Sequence, residues 1–320
     1  MSLLERRYRS VLRLLPASYR AVREEEMVSA FMEFYGEVPD EENPRPRWSE
    51  VASVLALSTR LRLGAPGAGP RFAAWGAAVR LVAQAGLLFE AVMGLLRLAR
   101  EAIFLSRPHH GFDSPFIEMR ASWAMYMIGW SLAVVAFLAL ASGGVRTAKV
   151  AAGVECVLVV AAEVVTGDPD HLAWRVYIGL LNVPPVLALF AAYHRDAPAF
   201  RLGRWRAVGL LVAPTVLYVL LQFSLDLLPY SLWLSTWTDP AALAVCVGFC
   251  LALRRSASAR LGVAILAGLL LLVQLPSLMN PSGDPENLAW IPGAAQCGLL
   301  GAIVLVSAVS GVRALPAVSP

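Results

Sequence analysis

Lysine occurs once in this 320-residue chain, at Lys149, and histidine and cysteine four times each. Charged residues are scarce as well, 16% of the chain, where a soluble domain carries about 25%. The formal net charge of +4 is too mild to suggest a nucleic-acid partner. Nearly every base is arginine, which fits a GC-rich bacterial genome. Cys156, Cys246, Cys250 and Cys297 all lie inside apolar runs, so no disulfide framework is expected. Cys246 and Cys250 are four residues apart with no histidine or carboxylate beside them, which argues against a metal site. Serine-hydrolase, zinc-protease, Walker and dinucleotide motifs are missing, so neither an enzyme nor a cofactor is expected. The first 25 residues carry six arginines and no apolar run long enough for a signal peptide. The N-terminus is therefore expected in the cytoplasm.

What the chain has in abundance is apolar sequence: 58% hydrophobic residues and a mean hydropathy of +0.62. The apolar residues come in runs of about 18–23, long enough to cross a hydrocarbon core of about 30 Å. The expected fold is all-α, a polytopic membrane helix bundle preceded by a small cytosolic three-helix unit.

That unit spans residues 1–64. Leu4, Tyr8, Val11, Leu12 and Leu15 share one helical stripe that ends at Pro16. Ser18 is expected to cap a second helix, with Tyr19, Val22, Met27, Ala30, Phe31 and Phe34 on its apolar face and Gly36 closing it. Ser49 is expected to cap a third, carrying Val51, Val54, Leu55, Ser58 and Leu61 and ended by Gly64. Residues 65–72 read as a linker and 73–313 as the membrane bundle. Three short amphipathic helices make a marginal core, so the unit should lean on the bundle or on a partner.

The run from Leu14 to Met27, LLPASYRAVREEEM, resembles the "permease prefix" type of N-terminal domain, with Glu24 standing where that pattern commonly has glycine. Such domains precede bacterial permeases of the FtsX-like class and small multi-spanning proteins of GC-rich bacteria. The resemblance covers about the first 64 residues. It implies a cytosolic interaction or regulatory module, with no catalytic residues to carry over. The membrane region has no large extracytoplasmic domain of the FtsX kind, so permease function does not transfer.

About eight spans are expected, near 73–96, 122–142, 147–166, 172–193, 205–224, 239–253, 259–279 and 291–312. Arginines and Lys149 cluster in every second connection, whereas Asp168, Asp170, Asp226, Asp239, Asp284 and Glu286 occupy the others. That is a positive-inside pattern for a multi-pass protein of the bacterial cytoplasmic membrane with both termini cytoplasmic. The first span is followed by a mixed-charge stretch in which Leu95 to Leu105 reads as an interfacial helix. Six tryptophans near the span ends suggest an aromatic belt.

One motif recurs. GDPDHLAW at 167–174 returns as GDPENLAW at 283–290, a shift of 116 positions with six of eight residues identical. The shift carries three of the first four spans onto three of the last four, suggesting two tandem four-helix halves at 73–193 and 205–312. Convergent capping is the alternative. Asp168 and Asp284 are good N-caps, Pro169 and Pro285 suit the first helical turn, and Trp174 and Trp290 anchor the interface. Thr238-Asp239-Pro240 begins a span the same way without a tryptophan.

Ionisable residues within spans are the remaining candidates for a site. Glu155 lies about eight residues into the third span, roughly 12 Å at 1.5 Å per residue, and Arg80 about as deep in the first. An Arg80–Glu155 pair is therefore expected. A second pair, Glu163–Arg175, is expected nearer the outer ends with Glu90 nearby. These charges read either as an interhelical clasp or as a substrate or proton path. His109, His110, Asp113 and Glu118 match no zinc spacing and read as solvated loop residues; His171 decorates its turn. Pro184-Pro185 and Pro214 are expected to kink their helices. The reading that results is a non-enzymatic integral membrane protein, lodged in the lipid bilayer, whose residues 1–64 engage a cytosolic or membrane protein partner in a regulatory or accessory role. The alternative is a small transporter or permease subunit with a site among the buried carboxylates.

Overall fold

The structure, a computed structural model, describes residues 2–36, 39–42, 44–105, 116–165, 179, 182–194, 197, 198, 200–225, 240–279 and 290–316. Among the described residues the fold is all-α, with eleven α-helices and no strand.

The first helix, α1 (Leu3–Leu12), starts where the Ser2 side chain accepts a hydrogen bond from the Glu5 amide. α2 is Ala17–Tyr35 and α3 is Trp48–Arg62, with a short 3-10 turn at Asp40–Glu42 between them. The expected stripe of α1 is buried: Leu4, Tyr8, Leu12 and Leu15 form a core with Val28, Phe31, Val54, Leu61 and Ala65. The Tyr8 ring stacks on Phe31 with centroids 3.8 Å apart. Gly36, at φ 66°, and Gly64, at φ 81°, take the positive-φ conformations open to glycine where α2 and α3 end.

The expected caps are not used. Pro16 stands before α2 and Arg47 before α3, both without a side-chain cap bond, and Ser18 and Ser49 already lie inside their helices. Proline pre-sets the extended-to-helical turn, so no hydroxyl is needed there. The apolar face of α2 also differs, because Val28 and Phe31 are buried whereas Val22 and Phe34 are 78% and 76% exposed. The linker is part of this unit. Ala65 belongs to its core, and a Cβ on Gly67 would lie 3.2 Å from the Tyr19 ring.

α4 (Pro70–Leu105) is a single helix of 36 residues, about 54 Å long. It continues through the stretch expected to be a separate interfacial helix, because nothing from Leu95 to Leu105 breaks helical hydrogen bonding. The other helices are α5 (Phe116–Ala141), α6 (Val145–Val165), α7 (Val183–Ala192), α8 (Arg204–Leu225), α9 (Pro240–Leu253), α10 (Ala257–Met279) and α11 (Trp290–Arg313). α4 is the hub, packing against α5, α7, α8 and α10 and receiving α3 near its start. α5, α6 and α7 pack in series, as do α9, α10 and α11, while α8 rests on α4 and α5.

Small residues make these approaches possible. A Cβ on Gly86 would come within 2.5 Å of Pro185, and one on Gly94 within 2.8 Å of the Trp130 carbonyl oxygen. Pro184 and Pro185 stand in the first turn of α7 instead of kinking a longer described helix, whereas Pro214 lies inside α8. Outward, Val150 and Val157 are each 67% exposed, an apolar exterior unlike that of a water-soluble protein.

Among the described residues, four helical segments are long and apolar enough to cross a membrane: Pro70–Ala102, Ser122–Ala141, Ala257–Leu275 and Gly293–Arg313. The expected count of about eight is not supported. α6 carries Arg146, Lys149, Glu155 and Glu163, too many charges for an apolar window. α7 and α9 have only 10 and 14 residues, about 15 and 21 Å. The expected N-caps Asp168 and Asp284, with Pro169, Trp174 and Pro285, lie outside the described residues, as do Arg175, His109, His110, Asp113 and His171. Trp290 is the first residue of α11.

The Leu202 amide donates to the Ala141 carbonyl at 2.8 Å, tying the segment before α8 to the α5–α6 turn. Gly262 of α10 lies against Leu81 of α4, and Arg260 donates to the Ser310 carbonyl of α11 at 3.4 Å. One face of the bundle therefore collects Arg71, Arg146, Arg201, Arg204, Arg254, Arg255 and Arg313.

Candidate functional site

Polar side chains enter the bundle at two levels where α4, α6 and α7 meet. At the basic end, Gln84 Nε2 donates to the Tyr193 hydroxyl at 2.6 Å. Lys149 Nζ donates to the Tyr193 and Phe190 carbonyls at 2.8 and 3.3 Å. The only lysine thus satisfies carbonyls left open where α7 ends, as a cation at a helix C-terminus does, and it also lies 5.3 Å from the Phe190 ring centroid. Arg80, one turn nearer the start of α4, reaches the Tyr193 phenol electrostatically. Its Nη1 is buried without a hydrogen-bond partner.

The second level lies deeper. Gln84 and Lys149 set the register, and six residues further along both helices stand Glu90 and Glu155. α4 and α6 run in the same direction, so about 9 Å of rise on each brings these carboxylates to one depth. They interact electrostatically, and Arg97, about two turns further along α4 from Glu90, is the cation that both feel. Glu155 is 4% exposed. The Arg97 guanidinium sits 5.5 Å from the Trp130 ring centroid, beside the Gly94 contact that joins α4 to α5.

The expected Arg80–Glu155 pair is therefore not formed. Counting from the start of each span gives equal depths, but α4 begins well before α6, and Arg80 lies level with the first turns of α6. Glu163 is half-buried near Gly179, and its expected partner Arg175 lies outside the described residues. The grouping of Glu90 with Glu155 was missed. Its signal, the equal six-residue spacings from Gln84 to Glu90 and from Lys149 to Glu155, has meaning only once the register of the two helices is known.

Two carboxylates within the electrostatic reach of one arginine are the described charges grouped inside the bundle. With the guanidinium alone they form an electrostatic clasp. Compared with protein-family models, curated proteins and solved structures, the chain matches none.

Proposed function

We propose that this chain is a non-enzymatic integral protein of the bacterial cytoplasmic membrane whose residues 1–64 engage a protein partner, in a regulatory or accessory role. The observation that carries this reading is an apolar corner on the N-terminal unit. Arg47 lies over the Tyr35 ring at 5.5 Å, bringing the end of α2 to the start of α3. Phe34 and Trp48 flank that contact, 76% and 86% exposed. Aromatic side chains displayed in this way beside a packed core suit a binding surface. Both termini are assigned to the cytoplasm, since the basic helix ends share one face and cytoplasmic loops carry the excess of arginine and lysine.

Affinity capture on the solubilised full chain tests the proposal. A cytosolic protein should be retained by the parent chain and lost when Phe34 and Trp48 are both replaced by serine. If no cytosolic protein is retained, or if one is retained equally by the double variant, the reading fails.

A second reading, a small transporter or permease subunit, is favoured by one observation: Glu90 and Glu155 share a buried neighbourhood between helices. In proteoliposomes carrying a pH gradient, this reading expects the parent chain to dissipate the gradient faster than Glu155→Gln at equal accumulation. Equal rates for the two exclude it. The two tandem halves remain part of the proposal, supported by the serial packing of both trios, α5 to α7 and α9 to α11.

A further inference from the structure

The start of α10 and the end of α11 frame an open groove of about 650 Å³. One end is polar, with Arg260, Ser310 and Arg313; the wall leading away from it is apolar, with Leu305, Val306 and Val309. Leu305 and Arg313 are eight residues apart on one helix, so the groove runs about 12 Å from its apolar to its basic end. No aspartate or glutamate lines it.

Arg260 is held in place from two sides. Its Nη1 donates to the Ser310 carbonyl at 3.4 Å and its Nη2 to the Leu253 carbonyl at 3.0 Å. A Cβ on Gly311 would lie 3.3 Å from the Arg260 Cβ, so the side chain leaves α10 directly against α11. Its Nε is buried without a hydrogen-bond partner. Arg313, in the last turn of α11, is exposed.

We infer that this groove binds an anionic phospholipid, with the headgroup phosphate between Arg260 and Arg313 and an acyl chain along Leu305, Val306 and Val309. Two guanidiniums with no balancing carboxylate select a net negative headgroup over a zwitterionic one, and their planar donor sets suit phosphate oxygens. The apolar wall selects a lipid over free phosphate: Leu305, Val306 and Val309 are 67%, 48% and 48% exposed, and a soluble anion leaves them uncovered. Basic pockets between helices at the cytoplasmic side of a membrane are where such headgroups dock. The assignment to the cytoplasmic leaflet rests on the orientation proposed above; binding itself does not.

Native mass spectrometry of the full chain in a neutral detergent tests the inference, with dioleoyl phosphatidylglycerol, dioleoyl phosphatidylcholine and inorganic phosphate as probes. Phosphatidylglycerol should be retained more tightly than phosphatidylcholine, and equimolar inorganic phosphate should not displace it. Arg313→Gln, at an exposed helix end, should weaken phosphatidylglycerol about fivefold. Val309→Glu should weaken it too, by placing a carboxylate in the groove. Arg255→Gln, an exposed change at the same face outside the groove, should leave it unchanged. Equal retention of the two lipids, displacement by phosphate, parent-like binding by Arg313→Gln and Val309→Glu, or equal weakening by Arg255→Gln would each overturn the inference. None of these outcomes bears on residues 1–64, so the proposed partner role stands or falls separately.

Discussion

Phe31 shows how much one side chain does in a unit this small. It is 5% exposed and stacks on Tyr8, so its truncation leaves a cavity between α1 and α2. Phe31→Ala should cost about 3–5 kcal/mol, and hydrogen exchange on the full chain should show α1–α3 losing protection while α5 and α6 keep theirs. Arg9 acts through charge, donating to Glu5 at 3.0 Å and to both oxygens of Glu25 at 2.7 and 2.9 Å. The bond from Arg9 holds the Glu25 carboxyl below its ordinary value of 4.5. A depressed folded-state pKa contributes stability above the unfolded value, and that contribution is lost as pH falls through the folded one. The contact should therefore hold at neutral pH and weaken only below about pH 4.5. A carbon-13 titration of Glu25 should show its midpoint moving back up in Arg9→Gln; an unchanged midpoint rejects the assignment.

At the scale of elements, the register of α4 against α5 and α6 decides what the membrane-level charges do. Gly94 sets the first of these contacts, since any Cβ there meets the Trp130 carbonyl oxygen at 2.8 Å. Gly94→Ala should cost about 1–3 kcal/mol by forcing the helices apart, read as a lower melting temperature in detergent. Across from α6, two carboxylates share the field of one arginine. Glu155→Gln removes a buried acid from beside Glu90 and should leave the melting temperature equal or higher. Arg97→Gln leaves both carboxylates without the cation they share and should lower it. The reverse order would show that Glu155 is held by a cation other than Arg97.

For the whole molecule, the decisive property is the face on which the basic helix ends gather. Arg254 and Arg255 precede α10, and Arg313 ends α11. If that face is cytoplasmic, Ser256→Cys in a chain with its four native cysteines replaced by alanine should react with a membrane-impermeant maleimide in inverted vesicles and not in spheroplasts. Labelling confined to spheroplasts inverts the orientation, moving residues 1–64 and the lipid groove with it. The 36 residues of α4 exceed the roughly 20 needed to span a hydrocarbon core. The hub helix is therefore longer than a bilayer crossing requires, and α3 of the N-terminal unit packs on its first turns.

The all-α class, the α1 stripe of Leu4, Tyr8, Leu12 and Leu15, and the helix ends at Gly36 and Gly64 were legible in the sequence. So was the basic character of the connections that gather on one face. Local periodicity, turn chemistry and composition determine these, and each can be read from neighbouring residues. The cap positions were less legible, because Pro16 and Arg47 precede their helices without a side-chain bond. Tertiary structure alone decided that α4 is one continuous hub, that Arg80 lies within electrostatic reach of Tyr193, and that Glu90 and Glu155 feel each other and the same arginine. Depth along a helix follows from spacing, but depth relative to another helix depends on where each begins and on which glycines let them touch. Gly86 against Pro185 and Gly94 against Trp130 fix that register, and those contacts lie about 99 and 36 residues apart in the chain.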